Sequence, residues 1–557
     1  MRLTKYFLFL SCAALICACT ATISSDDEDE ISSVSSSSGK KNSSSSTNKK
    51  SSSSESSEKK SSVTEKENSS SSNSDDEISS SSFEELDEDC IGEPGKPWDG
   101  TTAKKFACGA GTKLSPYIIL TAEQLAKLAF IVGANETEYE GKYYKLGADI
   151  ILNKGKIIDD KGALVADSSK LHKWTPIGNS SVAFTGTFDG DGHTVSGMFI
   201  NTTSSHNGLF GNNHGTIQNV SIKDSWIYGG KYTAGIVGSN VGTVENLTNY
   251  ASVSGKEDCI GGVLGNSSQK DYKYNSIIKN ATNHGIIVGN KNVGGVAGCA
   301  TYVTVDGVEN SVQIEGYGYV GGIFGGIGSS SKNDVKNLKN TGNISGSHFV
   351  GGISGHCGGT SLNISTLQGG ASYHCSDSRN WPCGTLTNAH NNANVSGMYY
   401  VGGLLGIACG GKINSLSNTA NVEGVYGTAG IIGSAAYVTS NYLYNTGNIY
   451  GENYVGGIFS YNKEGVTSSA YSTGKVDGDS LVGLMIGYNY NTTMADYYYL
   501  EQGDQEPFGL NNGGGVATPK SEKEMKSSDF AELLGEDFVY DSGLNSGFPI
   551  LSWEQEE

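Results

Sequence analysis

The chain has 557 residues, with 58 acidic side chains against 38 basic ones, a net charge of −20, 78 glycines and 8 prolines. That acidity argues against a nucleic-acid partner, which selects for a basic face. Past the N-terminus no segment has the ~18 uninterrupted apolar residues that a membrane-spanning helix requires.

The first element is an export signal. Arg2 and Lys5 precede the apolar run YFLFLSCAALICA, which ends in Ile16-Cys17-Ala18-Cys19. A basic start, a short apolar core and small residues at the cleavage site describe a secretory signal. The ending resembles a lipobox, with residues 1–18 as the signal peptide and Cys19 as the lipidated residue. Lipid there makes the mature chain membrane-anchored. Residues 19–89 read as a disordered linker: within 24–82, 29 of 59 residues are serine, and residues 20–90 carry 17 acids and 7 lysines. Such a stretch cannot bury enough apolar surface to fold.

Residues 90–205 read as an N-terminal capping region with the first coils. TAEQLAKLA (121–129) predicts a helix with Thr121 as its N-cap. FDGDG (188–192) places Asp189 and Asp191 near His193. Carboxylates so spaced suit calcium or sugar chemistry, but Asp-Gly twice running is turn chemistry.

Residues 206–500 repeat. HNGLFG, TAGIVG, IGGVLG, VGGVAG, VGGIFG, VGGISG, VGGLLG, TAGIIG, VGGIFS and VGLMIG begin at 206, 233, 260, 293, 320, 350, 401, 428, 455 and 482. Six of the nine gaps are 27 residues, and the longest includes an insertion at about 358–386. Each unit offers three short Val/Ile/Leu segments separated by Gly and Asn, which read as strands. A unit this small buries its apolar face only by stacking on the next. The fold class is therefore all-β: a parallel β-solenoid of about ten 27-residue coils with small helical caps. Asn249, Asn283, Asn310, Asn340, Asn391, Asn418 and Asn445 share one register. Asn246, Asn280, Asn337 and Asn388 form a second. Both suit amide ladders and left-handed corners. The glycine pair suits a bend or a close approach between coils.

These units resemble the GLUG repeat, named for cores such as GLFG at 208–211. The segments at 120–135, 142–152 and 184–200 look like the region that often precedes such repeats, and GLNSGFPILSW (543–553) looks like their closing segment. The resemblance implies a bacterial surface or secreted protein and no established catalysis. Residues 501–557 are expected to cap the array, with a helix within 521–535.

Of 11 cysteines, eight remain after the signal and Cys19, and an even count in an exported chain favours disulfides. Cys90 with Cys108, Cys357 with Cys409 and Cys375 with Cys383 are the expected pairs. Cys259 and Cys299 remain, at unmatched places in the repeat. The histidines beside this group (His356, His374, His390) allow a zinc reading with no finger-like spacing. No cofactor is called for.

The residue before each V-G-G core is Tyr232, Cys259, Asn292, Tyr319, Phe349, Tyr400, Gly427 and Tyr454. If the valine points inward, simple alternation points this position outward. Tyr319, Phe349, Tyr400 and Tyr454 are thus the candidate ligand-binding rings. The function expected is non-enzymatic: adhesion, or binding of an extracellular glycan or surface partner, by a lipid-anchored protein exposed on the cell envelope. A polysaccharide-degrading β-helix enzyme and a structural spacer are the alternatives.

Overall fold

A computed structural model describes residues 90–269, 275–359, 375 and 382–556. The signal peptide, Cys19, the serine-rich linker and most of the insertion lie outside the described residues.

One short helix leads into the solenoid. α1 (Ala122–Gly133) starts at Thr121, whose side chain accepts from Gln124 N–H while the Gln124 side chain reaches back to the Thr121 N–H. This capping box satisfies two of the N–H groups that every helix start exposes. Leu125, Leu128 and Ile131 of α1 are buried in the same core as Ile119 and Tyr144 of the first strands.

Each coil contains four strands. In one representative coil these are β1 (Lys291–Gly294), β2 (Ala297–Ala300), β3 (Val303–Asn310) and β4 (Ile314–Glu315). The sequence pattern suggests three segments. The V-G-G-φ-φ-G stretch spans two strands with a corner at its second glycine, and the lone apolar residue before the next coil forms the two-residue β4. Equivalent strands pair in parallel, giving ladders of 9 (β1), 11 (β2) and 10 (β4) strands and a 16-stranded sheet for β3, two of whose strands, Ile150–Ile151 and Thr194–Ser196, lie off the main ladder. The β3 ladder runs from Tyr117 to Lys520, about 13 turns rather than ten, because coils without the glycine core extend the stack at both ends.

Identical positions stack. Val293, Val320, Val350 and Val401 succeed one another along the β1 ladder, and Ile287, Ile314, Ile344 and Val395 along β4. All eight are buried, and burial of each such side chain is worth ~1.5–3 kcal/mol. Parallel pairing recruits residues from the next coil, so this gain exists only in the array.

The glycine pair serves close approach. A Cβ on Gly295 would lie 2.1 Å from the Gly322 carbonyl and 2.6 Å from Cγ of Asn310. The second glycine thus sits directly against the inner asparagines. Those residues form a continuous buried ladder: Asn249, Asn283, Asn310, Asn340, Asn391 and Asn418 each donate from Nδ2 to Oδ1 of the next, ending on Asn445, at 2.7–2.8 Å. The outer register holds the left-handed backbone, with φ of 55°, 48°, 59° and 57° at Asn246, Asn280, Asn337 and Asn388.

Two of the expected disulfides exchange partners. Cys90–Cys108 and Cys259–Cys299 form, but the other two bonds are Cys357–Cys383 and Cys375–Cys409. Cys357 pairs in register with Ala408, so Cys409 falls one residue further on. Successive strand residues face opposite sides. Cys357 therefore joins Cys383 in the interior, and Cys409 joins Cys375 on the outer wall.

The helix expected within 521–535 is present as two, α2 (Glu522–Met525) and α3 (Ser528–Leu534). They pack with Phe538, Phe548 and Leu551 on Tyr444, Tyr471 and Tyr498, which line the outer face of the β3 ladder. Glu554 anchors the end. It receives hydrogen bonds from Tyr444 Oη (2.8 Å), Leu551 N–H (2.9 Å) and Ser417 Oγ, with His390 Nδ1 3.1 Å away. Burial works against ionisation of this carboxyl, but His390, Ser417 and the Leu551 N–H outweigh it and hold it below the ordinary glutamate value.

Candidate functional site: an aromatic ribbon at the coil corner

The rings singled out by register do stack. Tyr319 and Phe349 lie 5.0 Å apart at 10°, and Phe349 and Tyr400 lie 5.6 Å apart at 3°. They are not, however, a surface platform: Tyr319, Phe349 and Tyr400 are only 6, 0 and 4 % exposed. The reason is backbone conformation. Each occupies the left-handed region, with φ of 54°, 55° and 53°, where strand alternation no longer applies. The rings fold back into a corner shared with Ile407 and the Cys375–Cys409 bridge. His356 meets the Tyr319 ring edge-on at 4.9 Å. Tyr454, in the same register (φ 55°), is half-buried.

A second set of rings runs alongside this buried stack and reaches solvent. Tyr317 lies 5.3 Å from His348, which stacks on Tyr399 at 4.9 Å. Tyr399 approaches Tyr426 (6.5 Å), Tyr426 approaches Tyr454 (5.0 Å), and Tyr454 approaches Tyr488 (6.3 Å). Tyr490 continues the series at 6.3 Å, with Lys463 Nζ 6.0 Å from its ring. The two ends are open, Tyr317 at 47 % and Tyr490 at 41 % exposure, while Tyr399, Tyr426, Tyr454 and Tyr488 are half-buried. From Tyr317 to Tyr488 the ribbon crosses five coil steps, roughly 24 Å at the ladder spacing. Burial, then the neighbouring Tyr400 and Tyr454, push the Tyr426 phenol well above its ordinary value, so it remains a neutral donor. Burial holds the His348 imidazole below its ordinary value. The ribbon is invisible to a column-by-column reading because its rings shift register. They stand three residues before the core valine position at Tyr317, two before at His348, Tyr399 and Tyr426, and one before at Tyr454.

The other sequence candidates resolve into structure. Asp189 accepts hydrogen bonds from Gln218 Nε2, Asn219 Nδ2 and the Asp191 N–H, each 2.9 Å, so it starts the outer amide ladder inside a turn. Asp191 pairs with Lys145 at 3.2 Å, and His193 faces Asp149 at 3.3 Å. The four cysteines of the zinc reading are all disulfide-bonded. His390 is engaged by Ser417 Oγ (2.7 Å) and Glu554.

No protein-family profile matches the chain. It is 35 % identical to halomucin of Haloquadratum walsbyi over 174 residues, covering 30 % of this chain and 2 % of halomucin. It is 32 % identical over 149 residues to a protein of Evansella cellulosilytica described as a "Putative Gly-rich membrane protein", covering 26 % of this chain and 15 % of that one. The chain thus spans a small part of each relative. A crystal structure described as a "putative immunoglobulin A1 protease from Bacteroides ovatus" aligns over 80 % of this chain and 95 % of its own, at 17 % identity and a TM-score of 0.26. Among the described residues no helix is long and apolar enough to cross a membrane.

Proposed function

We propose that this chain is a non-catalytic envelope protein that binds an extracellular polysaccharide along the aromatic ribbon, anchored to the membrane through lipid on Cys19. The observation that carries the reading is the row of rings from Tyr317 to Tyr490, exposed at both ends and half-buried from Tyr399 to Tyr488, with the buried His348 as its second member. Sugar rings present apolar faces. Tyrosine supplies large contact area at low conformational cost and a phenol for hydrogen bonding. A sheet corner holds the rings at fixed spacing before any ligand arrives. The name of the Evansella relative fits an envelope location.

Carboxylate spacing on this face gives the enzyme reading little support. On the β4 ladder Glu315 and Glu423 share a row but stand three coils apart, roughly 14 Å, and Glu423 and Asp477 stand two coils apart, roughly 10 Å, against the ~5–9.5 Å used by paired glycosidase carboxyls. Asp189 is consumed by its turn.

The test is binding of polysaccharide panels to the mature chain, with and without Tyr454→Ala plus Tyr490→Ala. Loss of two stacking rings is expected to weaken binding by at least about ten-fold, with circular dichroism unchanged. Unaltered binding by a folded double variant refutes the ribbon. Failure of the unsubstituted chain to bind any glycan leaves the spacer reading in its place.

A further inference from the structure

A second surface of the solenoid carries the features of a separate ligand site. The outer face of the β4 ladder holds a shallow trough of about 400 Å³. Its floor is small, because Ser345 and Ser396 are paired neighbours in the ladder. Along one side runs a row of asparagines, Asn343, Asn394 and Asn421, all exposed, continued by the half-buried Asn448.

Three of these four amides accept a backbone N–H of the next coil. Asn343 Oδ1 accepts the Asn394 N–H at 3.2 Å, Asn421 Oδ1 accepts the Asn448 N–H at 3.3 Å, and Asn448 Oδ1 accepts the Lys475 N–H at 3.0 Å. With the oxygen tied to the next coil, the Nδ2 groups of Asn343, Asn421 and Asn448 are turned away from that bond. With Asn394 between Asn343 and Asn421, the amide row repeats near the coil spacing of ~4.8 Å. At the rims stand Glu423 with the Tyr450 ring, and Gln313 hydrogen-bonded to Glu315.

We propose that this trough is a second carbohydrate site, for an extended, uncharged oligosaccharide lying along the solenoid axis. The amide row matches a ligand that offers oxygen acceptors at regular intervals, and the fixed orientation of its tied members lowers the ordering cost of binding. Tyr450, 38 % exposed, supplies a stacking face at one end. The carboxylates at both rims turn away polyanionic sugars, since bringing like charges together costs affinity. The inference rests on the reading of this chain as a glycan binder, but it concerns a different face.

The experiment therefore uses the mature chain already carrying Tyr454→Ala and Tyr490→Ala, so that remaining binding reports on the trough. Cellohexaose, mannohexaose and xylohexaose are titrated calorimetrically, with a polygalacturonate hexamer as the anionic comparison. At least one neutral hexasaccharide is expected to bind. Ser396→Tyr, which fills the trough from an outward position, and Asn394→Ala with Asn421→Ala are each expected to weaken it by about ten-fold or more. Absence of neutral-sugar binding in this background overturns the trough site, whatever the ribbon does. Binding that both trough variants leave unchanged overturns it equally, as does preference for the polygalacturonate. Survival of ribbon binding in the chain with intact tyrosines separates failure here from failure of the broader reading.

Discussion

Asn340→Asp exchanges one atom of a fully buried side chain and leaves its shape intact. The native amide accepts from Asn310 Nδ2 (2.8 Å) and the Gly342 N–H (3.3 Å), and it donates to Asn391 Oδ1 (2.7 Å) and the Gly342 carbonyl (2.9 Å). A carboxyl keeps both acceptor roles. It turns both donor roles into oxygen facing oxygen, in a site with no exposure. Each stranded buried group costs ~1–3 kcal/mol, and a charge there costs more. The expected loss is about 3–6 kcal/mol. Asn388→Asp is the matched control. It removes the donor of the 3.0 Å bond to Asn337 in the outer, half-buried ladder, where water can substitute. Its expected cost is about 1 kcal/mol. Guanidinium unfolding followed by circular dichroism measures both. If Asn340→Asp shifts the transition no more than Asn388→Asp, the buried ladder does not hold the coils together and the argument fails.

Four further outcomes are expected. Non-reducing peptide mapping will recover Cys357–Cys383 and Cys375–Cys409, each bond contributing about 3.5 kcal/mol by loop-closure entropy; recovery of Cys357–Cys409 contradicts the inward and outward assignment of these strands. Ser472→Asn will stabilise the fold by about 1 kcal/mol, because Ser472 follows Asn445 in register, is buried, and ends the amide ladder with a hydroxyl that finds no partner; a destabilised variant means the next coil cannot take an amide. His356, pushed down to about 4 chiefly by burial, contributes stability that is complete above pH ~6.5 and lost as pH falls toward 4, by up to about 3 kcal/mol; His356→Gln should flatten that part of a stability–pH profile, and an unchanged slope assigns it elsewhere. Glu554, held below its ordinary value, stabilises the docked C-terminal segment above the unfolded glutamate pKa and releases it as pH falls through the folded one; hydrogen exchange in 521–556 should rise in acid ahead of the coils, and simultaneous loss rules out a separate docking step.

Much of the solenoid is legible in the sequence because its determinants are local and repeated. The inner asparagine register predicts a ladder, and the ladder is there; the glycine pair predicts close approach, and a Cβ at Gly295 would collide with the neighbouring coil. What escapes the sequence reading depends on which way a residue points. Cys357 and Cys409 look equivalent along the chain, yet a one-residue offset puts them on opposite sides of the wall. Alternation places Tyr319, Phe349 and Tyr400 on an open surface, whereas a left-handed backbone that no propensity assigns to aromatic residues folds them into a buried corner cluster with the Cys375–Cys409 bridge. Tyr444, Tyr471 and Tyr498 recur with the repeat, but nothing periodic marks Phe530 and Phe548 as the residues that dock on them.

The left-handed corner also explains the bond that repeat position alone leaves unexplained. Cys259 stands in the register of Tyr319, and both have positive φ. Cys299 stands in the outward register of the β2 ladder, followed in successive coils by Gly326, His356 and Ile407. The corner residue of one coil therefore faces the outward β2 residue of the coil after it. In one place that pairing is the Cys259–Cys299 disulfide, and in another it is the edge-on contact of Tyr319 with His356. Further along, Tyr454 meets Tyr488 in the same relation. A disulfide, a ring–imidazole contact and a tyrosine pair are thus alternative fillings of one corner. A left-handed bulky residue costs about 1–2 kcal/mol, and each filling offsets that cost by a different chemistry. Where the filling is tyrosine, as at Tyr454 and Tyr488, it reaches solvent, and it is there that the corner becomes a surface a ligand can touch.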